Sequence, residues 1–154
     1  MTAQARLDVT ERWGTLNDGL IALVDVIPDD KFDWSPREEL WDRRHILAHV
    51  CMTRHDWMGN RISQKISNDD MWASVQTNGG LKEQLRRSWA RVERFLSDQA
   101  NLDRVFEGEA AGEAYSFTGQ WIAFHLLEHD IHHRADVFHY LALLGVSHPE
   151  VETP

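Results

Sequence analysis

His129 and His133 stand four residues apart in FHLLEHDIHHRADVFHYLALLG, Phe124 to Gly145, a stretch that carries five of the nine histidines. On a helix, residues four apart lie one above the other on the same face. Two imidazoles so placed reach one divalent cation, as the HxxxH pairs of helical zinc sites do. The pair supplies two ligands, so a third must come from elsewhere in the chain. His49 is the first candidate, because it lies within the apolar run Ile46 to Val50, where a free charge is costly. His45, one turn earlier, is the second. Three neutral nitrogens leave open positions for water or substrate, which is the pattern of catalytic sites. Imidazole ligands suit Zn, Ni, Fe and Cu alike, so these residues do not name the metal. Asp56, two turns after His49, is a candidate general base or an acceptor for a ligand imidazole. Cys51, the one cysteine, falls roughly opposite His49 on a helix and reads as a small buried hydrophobe.

The other histidines divide by position. His132 points beside the pair, as ligand, support or exposed residue. His125, one turn before His129, reads as pocket wall or support, and His139 and His148 as surface residues. The face centred on His129 also carries Ile122, Asp136, Tyr140 and Leu143, while Phe124, Leu127, Ile131, Phe138 and Leu141 line the opposite face. A helix with apolar or imidazole groups all round is expected to be buried on both sides.

The elements that must hold these residues are helical wherever the sequence is periodic. Apolar residues at mixed three and four spacing predict a first helix from about Ala5 to Ile27, stopped by Pro28. Residues 28–40 form a polar connection that Phe32 and Trp34 pin to the core. A second helix runs from about Trp41 to Lys65, with a stripe of Asp42, His45, His49, Met52, Thr53, Asp56 and Asn60. That stripe is either a solvated face or the lining of an internal site. Residues 66–80 break the pattern, with Met71 and Trp72 on a short helical turn over a pocket mouth and a turn at Asn78-Gly79-Gly80. A third helix spans about Leu81 to Asp98, and 99–117 reads as an exposed loop or loose hairpin. The last helix runs from about Thr118, an N-cap, to Leu144, with Gly145 as its stop. The expectation is one all-α domain over residues 1–154, a four-helix bundle with long loops and a crossover connection.

Composition narrows the class further. The 154 residues suit a single core. A formal net charge of -9 argues against nucleic acid or an anionic membrane surface as partner. The N-terminus is charged and does not resemble a signal peptide. No apolar run approaches the roughly 20 residues of a membrane span, and one cysteine cannot form an intrachain disulfide. A reducing cytoplasm is the expected compartment. Seven Trp in so short a chain can fill a core, line a pocket or cover a partner surface.

Two stretches, FDWSPREELWDRRHILAHVCMTRHDWM from Phe32 to Met58 and LLEHDIHHRADVFHYLALLGV from Leu126 to Val146, give the chain its resemblance to a known family. A Trp-containing loop, an apolar helix with one His, and a late helix with HxxHH before a Leu-rich end resemble the DinB/YfiT-like superfamily of metal-binding four-helix bundles. The resemblance extends in layout over nearly the whole chain. It implies a metal held by His49, His129 and His133. It also implies an activity, since characterised relatives include thiol S-transferases and isomerases that use low-molecular-weight thiols. Family members often continue HHR with Gly-Gln. This chain has Ala135 and Asp136 there, which puts a carboxylate on the His129 face as an extra ligand, an imidazole partner or a base.

Three functions compete on these residues. In the first, a metal at His49, His129 and His133 holds a thiol as thiolate, which attacks a small electrophile kept against pocket aromatics. Trp34, Trp72 and Tyr140 are the candidate pocket wall. A hydrolytic variant uses the same site, with Asp56 or Asp136 as base. The second is a non-enzymatic metal-binding or stress-response protein, and the third a helical interaction protein. The apolar face of the last helix and the number of Trp predict a homodimer.

Overall fold

The computed structural model describes residues 9–62 and 69–147. In chain order these hold α1 (Val9–Val26), α2 (Arg43–His55), α3 (Asp69–Ser74), α4 (Asn78–Leu96), α5 (Gln99–Asp103), β1 (Val105–Ala110), β2 (Glu113–Thr118) and α6 (Gly119–Leu143). A 3-10 turn at Asp29–Lys31 lies in the first connection, and a π-helical stretch, Asp56–Arg61, continues α2. The chain is mostly helical, as its periodicity requires, with a small antiparallel sheet added.

Apolar residues at three and four spacing turn one stripe of each long helix inward. The core takes Trp13, Leu20 and Leu23 from α1, Leu47 and Val50 from α2, Leu81, Leu85 and Val92 from α4, and Ile122, Leu126 and Leu141 from α6. Helix α1 packs on α4 and α6, and α2 packs on the same two. Phe32 is buried and Trp34 partly buried against this core, so the first connection is pinned as its aromatics predict.

Four details differ from the sequence expectation. Helix α2 begins two residues later than Trp41, because the Asp42 carboxylate caps it and accepts from His45 N at 2.7 Å. The Asn78-Gly79-Gly80 segment is the first turn of α4 and not a break. Thr77 Oγ1 caps it from Gly80 N at 3.1 Å, and a Cβ on Gly80 would come 1.8 Å from Ser74 O. Residues 99–117 hold the short helix α5 and most of a regular hairpin, registered from Val105 opposite Thr118 to Ala110 opposite Glu113. Helix α6 is capped by Thr118 and followed by Gly145 at φ +67 as expected, yet it is not buried on both sides. Phe124 and Ile131 remain 56% and 44% exposed on the outer face, where Leu141 is buried and Leu127 and Phe138 are only partly so. Helix α1 is described from Val9, so its predicted start at Ala5, the end of the second helix at Lys65 and the surface position of His148 lie outside the described residues. Among the described residues, no helix is long and apolar enough to cross a membrane.

Candidate metal centre

Helices α2 and α6 pack together and bring His49 across to His129 and His133. One ring nitrogen of each of the three lies within 4.8 Å of the others. Their ring centroids are 4.8, 5.0 and 4.5 Å apart for the pairs 49–129, 49–133 and 129–133. All three are partly buried. Nitrogens bound to one zinc stand about 3.4 Å apart, so rotations of the side chains suffice to close this set around an ion. The donor set of three imidazoles therefore fits a divalent transition metal.

The electrostatics favour the ligand form at His49 and His133. Burial pushes the His49 imidazolium down to about 4, and the neighbouring His129, His133 and His45 push the same way. Burial also lowers His133, as does His129, with the Asp136 hydrogen bond opposing. Neutral imidazoles offer the lone pairs a metal needs.

The groups behind the rings set which nitrogen faces inward. A carboxylate only accepts, so His133 Nδ1 donates to Asp136 Oδ2 at 3.1 Å and leaves Nε2 with the lone pair. His129 Nε2 lies 3.2 Å from Thr53 Oγ1, while its Nδ1 is buried 3.9 Å from Asp130 Oδ1. Asp136 also groups with His132 and His133, but His132 is 72% exposed and stands on the outer side.

Trp41 lies over two of the three rings. Its ring stacks on His45 at 4.7 Å, meets His49 edge-on at 4.8 Å and approaches His133 at 6.2 Å. Trp72 touches the outer side of His45 at 5.3 Å, so His45 belongs to an aromatic wall and not to the converging nitrogens. Trp34 and Tyr140 contact each other at 6.2 Å, with the Arg43 guanidinium 5.2 Å from the Trp34 ring. His125 sits one turn before His129, sandwiched against Trp121 and Trp57 at 5.0 and 5.3 Å. Asp56 is not brought to the three histidines: its oxygens accept from Asn60 Nδ2 at 3.1 Å and Arg61 Nε at 2.7 Å. His139 is exposed.

Sequence reasoning missed Trp41 as a roof, Thr53 as a neighbour of His129, and the buried pair Arg54–Asp130 behind it. A signal for that pair existed. Arg54 follows Leu47 and Val50 on the inward stripe of α2, and Asp130 falls between Leu126 and Val137 on that of α6. Opposite charges at core positions of two helices imply that they meet.

Comparison with known proteins agrees with this fold. The model of the DinB family matches residues 1–154. A DinB-like protein of Bacillus subtilis shares the fold at a TM-score of 0.67, with 19% identity over 94% of this chain and 96% of that one. A DinB-like protein of Bacillus cereus does so at 0.68, with 13% identity over 92% and 94%. At these identities the likeness is one of fold alone. Comparison with curated proteins gives no match.

Proposed function

The chain belongs to the DinB family, and from that premise we propose that it is a metal-dependent enzyme that transfers a small thiol to an electrophile. The observation that carries this reading is the convergence of His49, His129 and His133, which no fourth His, Cys, Asp or Glu joins among the described residues. Three protein nitrogens leave the ion open on one side, as catalytic sites do. When bound, Zn, Ni or Fe supplies Lewis acidity that lowers the pKa of a thiol or water beside it. The chain's own residues do the rest. Asp136 orients His133, and Trp41 shields the rings from water on the roof side. Trp72 and His45 extend that wall towards a substrate. The Trp34–Tyr140 pair is assigned to the same wall, further along α6.

Hydrolysis on the same site is the second reading. It is favoured by Asp136, a partly exposed carboxylate beside His133 and a suitable base, whereas Asp56 is held by Arg61. A closed, non-enzymatic metal protein is the third. The same proposal treats residues 1–154 as one cytoplasmic domain and the packing of α1, α4, α2 and α6 as a four-helix bundle with a crossover. It pairs two copies as a homodimer.

Metal analysis of the purified protein tests the site. About one divalent ion per chain is expected, and none in stoichiometric amount after His129→Ala. Full metal content in that variant would remove the assignment. Titration of the metal-loaded protein with small thiols then separates the functions. Trp fluorescence should change, because Trp41 lies against His49, and His49→Ala should abolish the change. No response from the wild type, together with ester or amide turnover in the absence of thiol, would favour hydrolysis.

A further inference from the structure

Among the described residues, Asp130 is the one carboxylate with no exposed surface. Its Oδ2 accepts from Trp13 Nε1 at 2.7 Å, Arg54 Nε at 3.0 Å and Arg54 Nη2 at 2.7 Å. Arg54 Nη1 donates onward to Asn17 Oδ1 at 2.7 Å and Ser88 Oγ at 3.3 Å. These five residues come from α1, α2, α4 and α6, so one carboxylate gathers all four long helices. Every donor goes to Oδ2. The other oxygen, Oδ1, is buried without a hydrogen-bond partner, and so is Nδ1 of His129. The two stand 3.9 Å apart. That is too long for a hydrogen bond, but a shift of about 1 Å joins two buried polar atoms that are otherwise left unpaired, and such orphans are rare.

We propose that Asp130 is a positioning residue whose Oδ1 takes the Nδ1–H of His129, fixing the tautomer in which Nε2 presents its lone pair to the metal position. The inference rests on the three-histidine reading of the site and adds what aims one of its ligands. In that tautomer the Thr53 hydroxyl, 3.2 Å from Nε2, is the donor to the lone pair when no ion takes it. It also gives the buried ion pair a role beyond packing, because Arg54 and Trp13 hold the carboxylate still while His129 reads its free oxygen. Ligand histidines commonly lean on a carboxylate in this way.

Asp130→Asn makes the idea sharply testable. Arg54 and Trp13 are donors only, so they force the new amide to turn its oxygen to the Oδ2 position. Its NH2 then faces His129 Nδ1, which must become an acceptor. The proton moves to Nε2, and the lone pair that should face the metal is lost. The tautomer is read in metal-free, 15N-labelled protein by long-range proton–nitrogen spectra of the imidazoles. Wild type should show His129 protonated at Nδ1 and Asp130→Asn should show it protonated at Nε2. Zinc affinity, measured by competition with a chromophoric chelator, should fall by about 10- to 100-fold in Asp130→Asn. Trp13→Phe removes a donor to Oδ2 but leaves Oδ1 alone, so it should keep both the tautomer and the affinity. An Nε2–H tautomer in the wild type overturns the proposal, and so does an unchanged tautomer and affinity in Asp130→Asn. An equal loss in Trp13→Phe overturns it too, by assigning the effect to a loosened core. If Asp130→Asn does not fold, the wild-type tautomer decides alone. A wild type with the Nδ1–H form but no affinity for zinc, nickel or iron would instead sink the metal reading.

Discussion

Each of the two α6 imidazoles in the site has a carboxylate at its Nδ1, and the two carboxylates differ in setting. Asp130 is wholly buried. Burial alone would raise its pKa, but Arg54 and the hydrogen bonds it receives outweigh that and hold it below the usual carboxylate range. Asp136 is 38% exposed, bonded to His133 and within 3.7 Å of His132. Water competes for an exposed carboxylate, so its hold on His133 is the weaker of the two. Asp136→Ala should therefore lower zinc affinity by no more than about tenfold, the low end of the range for such partners, with little loss of stability. A chelator competition that gives the same affinity for both proteins would make the 3.1 Å bond to His133 incidental. Cys51 shows the opposite extreme at this scale. Burial pushes its thiol up to about 12, which fits the small hydrophobe its place on the helix predicts and excludes it as a nucleophile.

At the scale of elements, the histidine spacing on α6 and the cap at Thr118 were legible because both are local. Four-residue spacing and a side-chain cap depend on neighbours in sequence. The end of α2 was not legible. Counting two helical turns from His49 puts Asp56 on the site face, but a π-helical stretch starts there, and the carboxylate turns to Arg61. Nothing local marks such a stretch. The hairpin was half legible, because its regular pairing becomes stable only where Phe106 and Phe117 reach the core and rings stack from Phe117 to Trp121 at 3.9 Å. The apolar outer face of α6 was legible as a pattern, though not its cover. Phe124 stands at the edge of a cleft of about 190 Å³ that it lines with Trp13, Leu96, Leu102 and Leu127. A second copy laid on this face is the dimer proposed above. Light scattering at micromolar concentration should give twice the monomer mass for the wild type and the monomer mass for Phe124→Glu. A monomeric wild type would leave that face to solvent and end the dimer proposal.

The molecule as a whole joins two buried polar systems through α2, and they respond to acid differently. One is the Arg54–Asp130 network. The other is His55, whose Nε2 lies 3.1 Å from Gln84 Oε1, with Gln84 in turn donating to Ser74 Oγ at 2.9 Å. Burial pushes the His55 imidazolium down to about 4, the Gln84 bond opposing and Arg91, Arg87 and Arg54 adding to the fall. In the unfolded chain the same ring titrates near about 6.5. Between these two values the unfolded state binds the extra proton and the folded state does not. The contribution of His55 is thus fully present above about pH 6.5, declines as pH falls to about 4, and changes no further below it. Asp130 has its pKa depressed, so its contribution is lost only as pH falls below the unfolded carboxylate value of about 3.9. The two systems therefore fail in separate windows. In metal-free protein, His49 and His133 are lowered as well and add to the upper window. His55→Gln removes one titrating ring from that window and keeps an amide that can face Gln84. Thermal melts from pH 7 to pH 3 should show a smaller fall of Tm for His55→Gln than for the wild type between about pH 6.5 and 4. Below pH 4 the two curves should run parallel, because the unfolded chain takes up the Asp130 proton in both proteins while the folded carboxylate stays ionised. Curves that stay parallel across the upper window would mean that His55 is already solvated, or protonated, in the folded protein.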